Sequence, residues 1–175
     1  IAYRSELNEA EQENIVRGQD WALGRRRELL EERFILELHK RMFGEVWRWA
    51  GKFRRSERNL GVDYWLIPVE LRQLLDDCRA WEDFGTYPPD EIAVRLHHRL
   101  VWIHPFPNGN GRHARLMADL LVMRAGRERF SWGSAQLRDP AVDPRAEHGA
   151  QAPHEAAQEL PEAGGGGRHG RRGLL

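Results

Sequence analysis

Cysteine, lysine and long apolar runs are the scarce features of this 175-residue chain. A single cysteine, Cys78, excludes an internal disulfide framework. It falls in a segment of apolar helical periodicity, where a small buried thiol is the expected role. No apolar run reaches the length of a membrane span, and no signal peptide is visible. A cytoplasmic protein without membrane contact is expected. Excess charge of either sign is also missing. Lys and Arg number 27, Asp and Glu 27, so bulk electrostatics give no reason to expect direct nucleic-acid binding. The basic residues are nearly all arginine, Lys40 and Lys52 being the exceptions, as a GC-rich coding sequence would give. The chain opens on Ile1 and not on Met, so a fragment with a truncated start is expected.

What is present is helical periodicity. Asn8-Glu9-Ala10-Glu11 fits an N-cap followed by Glu at the third helical position. Ile15, Val16, Gln19, Ala22 and Leu23 then follow helical spacing. A second helix is expected from Glu31 to Trp47, with Phe34, Ile35, Leu38, Met42 and Val46 as its apolar stripe. Residues 53–67 lack this period, contain Asn59-Leu60-Gly61 and end at Pro68, which predicts a short β-hairpin. Pro68 suits the start of a third helix carrying Leu71, Leu74, Leu75, Cys78 and Trp81. Pro88-Pro89-Asp90 starts a fourth, with Ile92, Leu96, Leu100 and Ile103 on its buried side. A fifth runs from Gly111 to Arg124, carrying Leu116, Leu120 and Met123, with Gly126 as a stop. The fold class expected is an all-α bundle with a short β-hairpin.

Between the last two helices stands His104-Pro105-Phe106-Pro107-Asn108-Gly109-Asn110-Gly111-Arg112-His113-Ala114-Arg115. A helix N-terminus presents free N–H groups and a positive partial charge, a natural seat for phosphate. Gly109 and Gly111 let the backbone turn sharply and come close to a ligand. Asn110 tolerates a left-handed conformation and brings amide donors. Arg112 and Arg115 are three apart and share one helix face, where two guanidinium forks suit nucleotide phosphates. His104 has an unperturbed pKa near neutrality and can take a proton from a hydroxyl. Phosphoryl or nucleotidyl transfer with histidine as base is the chemistry these parts predict.

The same stretch resembles the Fic family signature, His-Pro-Phe-x-(Asp/Glu)-Gly-Asn-Gly-Arg-x-x-Arg, with eleven of its twelve positions compatible. Trp49-Ala50-Gly51-Lys52-Phe53-Arg54 resembles the segment leading into that family's flap. The likeness spans about residues 1–132 and is closest to the subgroup known as mobile mystery protein B. The resemblance implies transfer of AMP from ATP to a Ser, Thr or Tyr hydroxyl of a target protein. His104 would be the base. Gly109, Asn110 and Gly111 would cradle the phosphates. Arg112 and Arg115 would hold the outer phosphates and stabilise the leaving pyrophosphate. Phe106 would anchor the loop. The hairpin, with Asn59, Leu60, Gly61 and Val62, would be the flap that holds the target by strand addition. Asn108 stands where the family has Asp or Glu, the Mg²⁺ ligand, so metal would bind weakly and through the nucleotide phosphates. Phosphotransferase toxins of the Doc type carry lysine where this chain has Gly111, which favours nucleotidyl transfer. A catalytically weak or inactive toxin-like module that binds nucleotide or protein is the alternative, as is transfer of another nucleotide such as UMP. The subgroup's genomic setting implies a regulatory, antitoxin-like partner.

Some residues are weighed beside the signature. Ser5-Glu6-Leu7-Asn8-Glu9-Ala10 partly resembles the family's inhibitory motif, in which Glu9 would pair with Arg115; Ala10 breaks the match. His97, His98 and His104 lack further ligands at zinc spacing, so supporting roles are expected. Of seven tryptophans most are expected in or near the core, with Trp65 of the hairpin the exception. From Asp139 to Leu175 the chain holds seven Gly, seven Ala and four Pro and no aromatic residue. It cannot offset its ordering entropy. A Fic domain over 1–138 and a disordered tail over 139–175, read as a frameshifted read-through, are the domains expected, the cluster Arg168, Arg171 and Arg172 lying in the tail.

Overall fold

Phe34, Ile35, Leu38, Met42 and Phe43 recur at three- and four-residue spacing, and all are buried on one side of a helix, Glu32–Phe43. The structure, a computed structural model, describes residues 2–133, with side chains described from Glu6 onward. The proposed tail at 139–175 lies outside the described residues. Contacts group Ile1–Ser131 as one unit, to which everything below refers. Its elements are α1 (Ala2–Leu23), α2 (Glu32–Phe43), a 3₁₀ turn (Tyr64–Leu66), α3 (Ile67–Phe84), α4 (Pro89–Ile103) and α5 (Asn110–Arg124). None of these described helices is long and apolar enough to cross a membrane.

The all-α expectation holds. Pro68 lies in the first turn of α3, where its missing N–H costs nothing, and Gly85 closes that helix in the left-handed conformation at φ 60°. Leu71, Leu74, Leu75 and Cys78 line the buried face of α3. In α4 the buried face is Ile92, Ala93, Leu96, Leu100 and Ile103, with Asp90 and Glu91 in the first turn facing the helix dipole. α5 returns along α4 and buries Ala114, Met117, Ala118 and Leu121. The loop between α4 and α5 is therefore held at both ends by packed helices.

Three expectations are corrected. α1 begins at Ala2, so Asn8 is an exposed residue inside it and not its cap. Its inward residues include Glu11, Asn14, Gly18 and Ala22, polar or small, beside Ile15 and Trp21, which pack half-buried on the core; Val16 is exposed. Gly18 marks the crossing with α2: a β-carbon there would lie 2.9 Å from the Met42 backbone nitrogen. Second, α2 ends at Phe43 and not at Trp47. The Gly44 N–H closes it onto the Lys40 carbonyl at 2.7 Å, and Asn14 of α1 supplies a cap, donating to the Arg41 carbonyl and accepting from the Glu45 N–H. Residues 44–51 then turn, stacking Trp47 on Trp49 with ring centres 5.5 Å apart.

Third, residues 53–63 form no strand. The segment makes single backbone bonds to the α4–α5 loop, from Arg54 N–H to the Pro105 carbonyl and from Val62 N–H to the Ile103 carbonyl. A side chain explains why it does not pair with itself. The Arg54 guanidinium lies inside the loop and takes the carbonyls of Ser56 and Val62 that a hairpin ladder would use. The tryptophans largely follow expectation: Trp21, Trp47 and Trp81 pack half-buried against the core and Trp49 is half-buried, while Trp65, as expected, and Trp102 and Trp132 are exposed.

Candidate active site

α4 stops at His104 because the residue turns left-handed, φ 54° and ψ 58°. That turn reverses the chain and leaves the imidazole at the mouth of a cleft of about 280 Å³, lined by His104, Pro107, Asn108, Gly109, Asn110, Gly111, Arg112 and Arg115. Every residue the sequence singled out as base, phosphate cradle or anion clamp lines this one cleft. A larger hollow of about 640 Å³ elsewhere on the unit also contains arginines. There Arg124 is paired with Glu82 and Glu28, and Arg79 bonds the Leu30 carbonyl.

The loop is built from below by aromatic rings. Phe106 is fully buried and stacks on His39 at 3.6 Å between ring centres, with His113 edge-on at 5.2 Å. Gly109 is the left-handed residue, φ 79°, and a β-carbon there would lie 2.7 Å from the Phe43 ring. It thus needs both the conformation and the space that only glycine gives. Gly111 needs neither: it is helical, and a β-carbon would meet nothing within 4 Å. Asn110 is not the left-handed residue. Its amide accepts from Phe106 N–H at 2.9 Å and donates to the Phe106 carbonyl at 2.8 Å. Its side chain is spent on holding the loop, and what it offers a ligand is its backbone N–H. The first N–H groups of α5 have no side-chain cap and face the cleft end of the helix.

Two residues given no role by the sequence, His39 and His113, complete the loop. His39, buried in α2, accepts the Gly51 N–H on Nδ1 at 2.9 Å, so Nε2 carries the proton and donates to the Asn108 carbonyl at 3.0 Å. Burial pushes its pKa down to about 4, against the pull of the Asn108 bond. His113, deeper still, falls to about 3 through burial and the neighbouring His39, while bonding the Ile35 carbonyl. Both rings are neutral at neutral pH. His97 bonds the Ala114 carbonyl and so ties α4 to α5, a supporting role, and His98 is exposed.

Burial lowers the His104 pKa from its ordinary value, its bond to the Val101 carbonyl opposes this, and the Arg54 and Arg58 charges lower it further. The ring is therefore held neutral, as a base requires. Arg112 is already engaged: Glu11 of α1 receives it at 2.7 and 3.3 Å, and its guanidinium lies 4.9 Å from the Phe43 ring centre. Glu11 also accepts the Trp47 indole N–H at 3.1 Å. Its pKa is lowered chiefly by the Arg112 bond. Glu9 is exposed, and no ion pair joins it to Arg115 among the described residues. The carboxylate that reaches the signature is thus two residues further along α1, and its partner is the first arginine.

Residues 29–122, more than half the chain, match the Fic/DOC family. The chain belongs to that family. Protein adenylyltransferase Fic of Drosophila erecta is 41% identical over 96 residues, covering 53% of this chain and 19% of the relative. The protein of that name from Aedes aegypti is 38% identical over the same length, again covering 53% and 19%. This chain thus spans about a fifth of the curated relatives it matches. Among solved structures, a Fic-1 fragment from C. elegans has a TM-score of 0.55 at 31% identity, covering 68% of this chain and 38% of that one. A Fic-domain signalling protein from Bacteroides thetaiotaomicron has 0.57 at 26%, covering 75% and 53%. The BepC protein of Bartonella tribocorum, solved with AMPPNP, has 0.57 at 21%, covering 70% and 69%, a likeness of fold alone.

A Fic site raises the question of a divalent metal. The cleft lining contains no carboxylate. Asn108 offers one neutral oxygen, Oδ1, which already accepts the Gly109 N–H at 2.7 Å. Magnesium sites draw on one or two carboxylates besides substrate phosphates. The residues present do not fit a protein-held Mg²⁺ ion.

Proposed function

We propose that this Fic chain transfers AMP from ATP to a Ser, Thr or Tyr hydroxyl of a target protein. The observation that carries the reading is the shared cleft: a neutral imidazole on one wall, the open end of α5 and Arg115 on the other. His104 accepts the hydroxyl proton on its free ring nitrogen. The oxygen attacks the α-phosphorus, the bond to the β-phosphate oxygen breaks, and pyrophosphate leaves. The N–H groups at the start of α5, in Asn110, Gly111 and Arg112, and the guanidinium of Arg115 stabilise the growing charge. Arg112 joins them once Glu11 releases it. The names of the curated relatives support ATP as donor. Any Mg²⁺ would be brought by the nucleotide, with Asn108 as its weak contact, and no step is assigned to it. Gly61 lies against His104, and its loop, Asn59, Leu60, Gly61 and Val62, is the surface assigned to the target, offered as an irregular loop and not as a hairpin. A cytoplasmic setting, an antitoxin-like regulatory partner and membership of the mobile mystery protein B subgroup belong to the same reading.

A second reading, a nucleotide- or protein-binding module with little transfer, is favoured by one observation. Glu11 occupies Arg112, so part of the anion site is neutralised. UMP transfer is also open to a cleft that reads phosphates and not a base. Incubation with α-³²P-ATP and lysate protein, beside the His104→Ala variant, tests the reading. Label on a protein that disappears in the variant is the expected result. Label from γ-³²P-ATP would indicate phosphoryl transfer, label only from α-³²P-UTP would indicate uridylylation, and no label from any donor would favour the binding module.

A further inference from the structure

Arg54 is almost fully buried, yet among the described residues its one acidic partner, Glu57, is half-exposed and 4.0 Å away. Its guanidinium is satisfied by carbonyls instead. Nε donates to the His104 carbonyl at 2.8 Å and Nη1 to the Ser56 carbonyl at 3.1 Å. Nη2 donates to the Val62 carbonyl and, at 3.5 Å, to the Ile103 carbonyl. Two of these acceptors are at the end of α4, where carbonyls lack helical partners and the dipole is negative. The other two are in the loop assigned to the target. Gly61 closes the contact: at φ +92°, a β-carbon there would lie 2.6 Å from His104 Cβ, 2.8 Å from Arg54 Nη2 and 2.9 Å from the Ile103 carbonyl.

We infer that Arg54 is a positioning residue for the base, a guanidinium clamp that locks the left-handed turn at His104 and the 56–62 loop into one unit. The inference rests on the proposed transfer reaction and adds how its two halves are aligned. A β-carbon disfavours the left-handed conformation, so His104 must be held in it from outside. The bond to its own carbonyl does this, and the backbone turn sets where the imidazole points. The loop hangs from the same guanidinium, so a hydroxyl presented on the loop meets the base at a fixed place. The job requires a planar fork with donors in several directions, which lysine cannot provide. Arg54 does not line the cleft, so it has no direct part in holding nucleotide.

The test compares Arg54→Lys and Gly61→Ala with the wild-type chain. Arg54→Lys keeps the cation and loses the fork; Gly61→Ala leaves Arg54 in place and wedges loop and base apart. In AMP transfer both should lower kcat about a hundredfold, the scale of a small misalignment at the reacting atoms, with KM for ATP within about twofold. A kcat within about twofold of wild type for Arg54→Lys, or a KM for ATP that rises in step with the loss, would overturn the inference. A second readout does not depend on transfer. Histidine NMR of the nucleotide-free protein follows the His104 ring, whose charged surroundings are Arg54 and Arg58 of the loop, Arg112 and Arg115 across the cleft, and Glu57 beside Arg54. The clamp predicts a shifted His104 resonance and titration midpoint in both variants. If the wild-type chain labels nothing, the adenylylation reading fails by itself, and unchanged His104 signals would separately defeat the clamp. Failure of both variants to fold would show that the contact serves the fold and not the base.

Discussion

Glu11 and Arg112 lie 101 positions apart in the chain and meet in a two-point ion pair, 2.7 and 3.3 Å, across the mouth of the cleft. The pair is partly buried, its side chains 15% and 34% exposed, so it is less screened than a surface bridge. One guanidinium cannot serve this carboxylate and a nucleotide phosphate with the same donors.

Glu11→Gln should therefore tighten ATP binding several-fold and raise transfer, while lowering stability by about 1–2 kcal/mol through loss of a charge-assisted bond. Calorimetric ATP titration and a urea melt check both halves. Glu9→Gly is the companion, since Glu9 is the position the family motif indicated. A gain of activity in Glu9→Gly, and none in Glu11→Gln, would return the blocking role to Glu9.

His104→Ala should remove transfer by at least the 10²–10⁴-fold typical of a general base and leave ATP affinity within about twofold. Label transfer that persists in this variant would take His104 out of the chemistry.

The buried rings under the loop predict acid sensitivity. His39 and His113 are neutral in the fold, with pKa about 4 and about 3, against 6.5 when unfolded. Lowered folded values mean that the unfolded chain binds more protons below pH 6.5. The stability they permit is whole above that pH and is lost as pH falls toward 4. At pH 5 the loss should be about 2 kcal/mol for each ring. Urea midpoints at pH 7.5 and 5.0 measure it, and equal midpoints would show that the rings titrate normally. His39 stays neutral in the folded protein until the pH nears 4 and keeps its bond to the Asn108 carbonyl, so ATP affinity of the folded protein should not change through this ring over the same interval.

Asn108→Asp should make transfer more dependent on Mg²⁺. The shorter acid keeps an oxygen for the Gly109 N–H and adds the charge that the cleft lacks. Without metal, that charge should repel the nucleotide and lower its affinity. Superimposable Mg²⁺ curves for the two forms would place this side chain away from any metal.

The signature was legible because its parts are adjacent in the chain and of unmistakable type, so the base, the glycine at 109 and both arginines lie where spacing put them. The helices with apolar stripes, α2 to α5, were legible for the same reason. α1 was legible as a helix but not in its start or its inner face, because Glu11, Asn14 and Gly18 there are polar or small and add nothing to an apolar stripe. Its polar members act on groups from distant segments, the Arg112 side chain and the backbone after Arg41, and sequence order carries no record of such pairing. Arg54 and His39 were missed likewise, since their partners are main-chain atoms. The hairpin failed on the same point: glycine at 61 suggested a turn, whereas its small size admits Arg54 and His104.

The crossing glycine has a thermodynamic corollary. Gly18 seats α1 on α2 by near contact of backbones, on the same side of the helix that carries Glu11. How firmly that helix sits and how well the cleft accepts an anion are then one linked equilibrium. Linkage is reciprocal: the factor by which the seated helix weakens ATP binding is the factor by which ATP loosens the helix. Bulk at position 18 would act as a dial, trading amino-terminal order for nucleotide affinity without touching the signature. Amides of α1 should exchange with solvent faster when ATP is bound, although the ligand sits a hundred residues away in the chain.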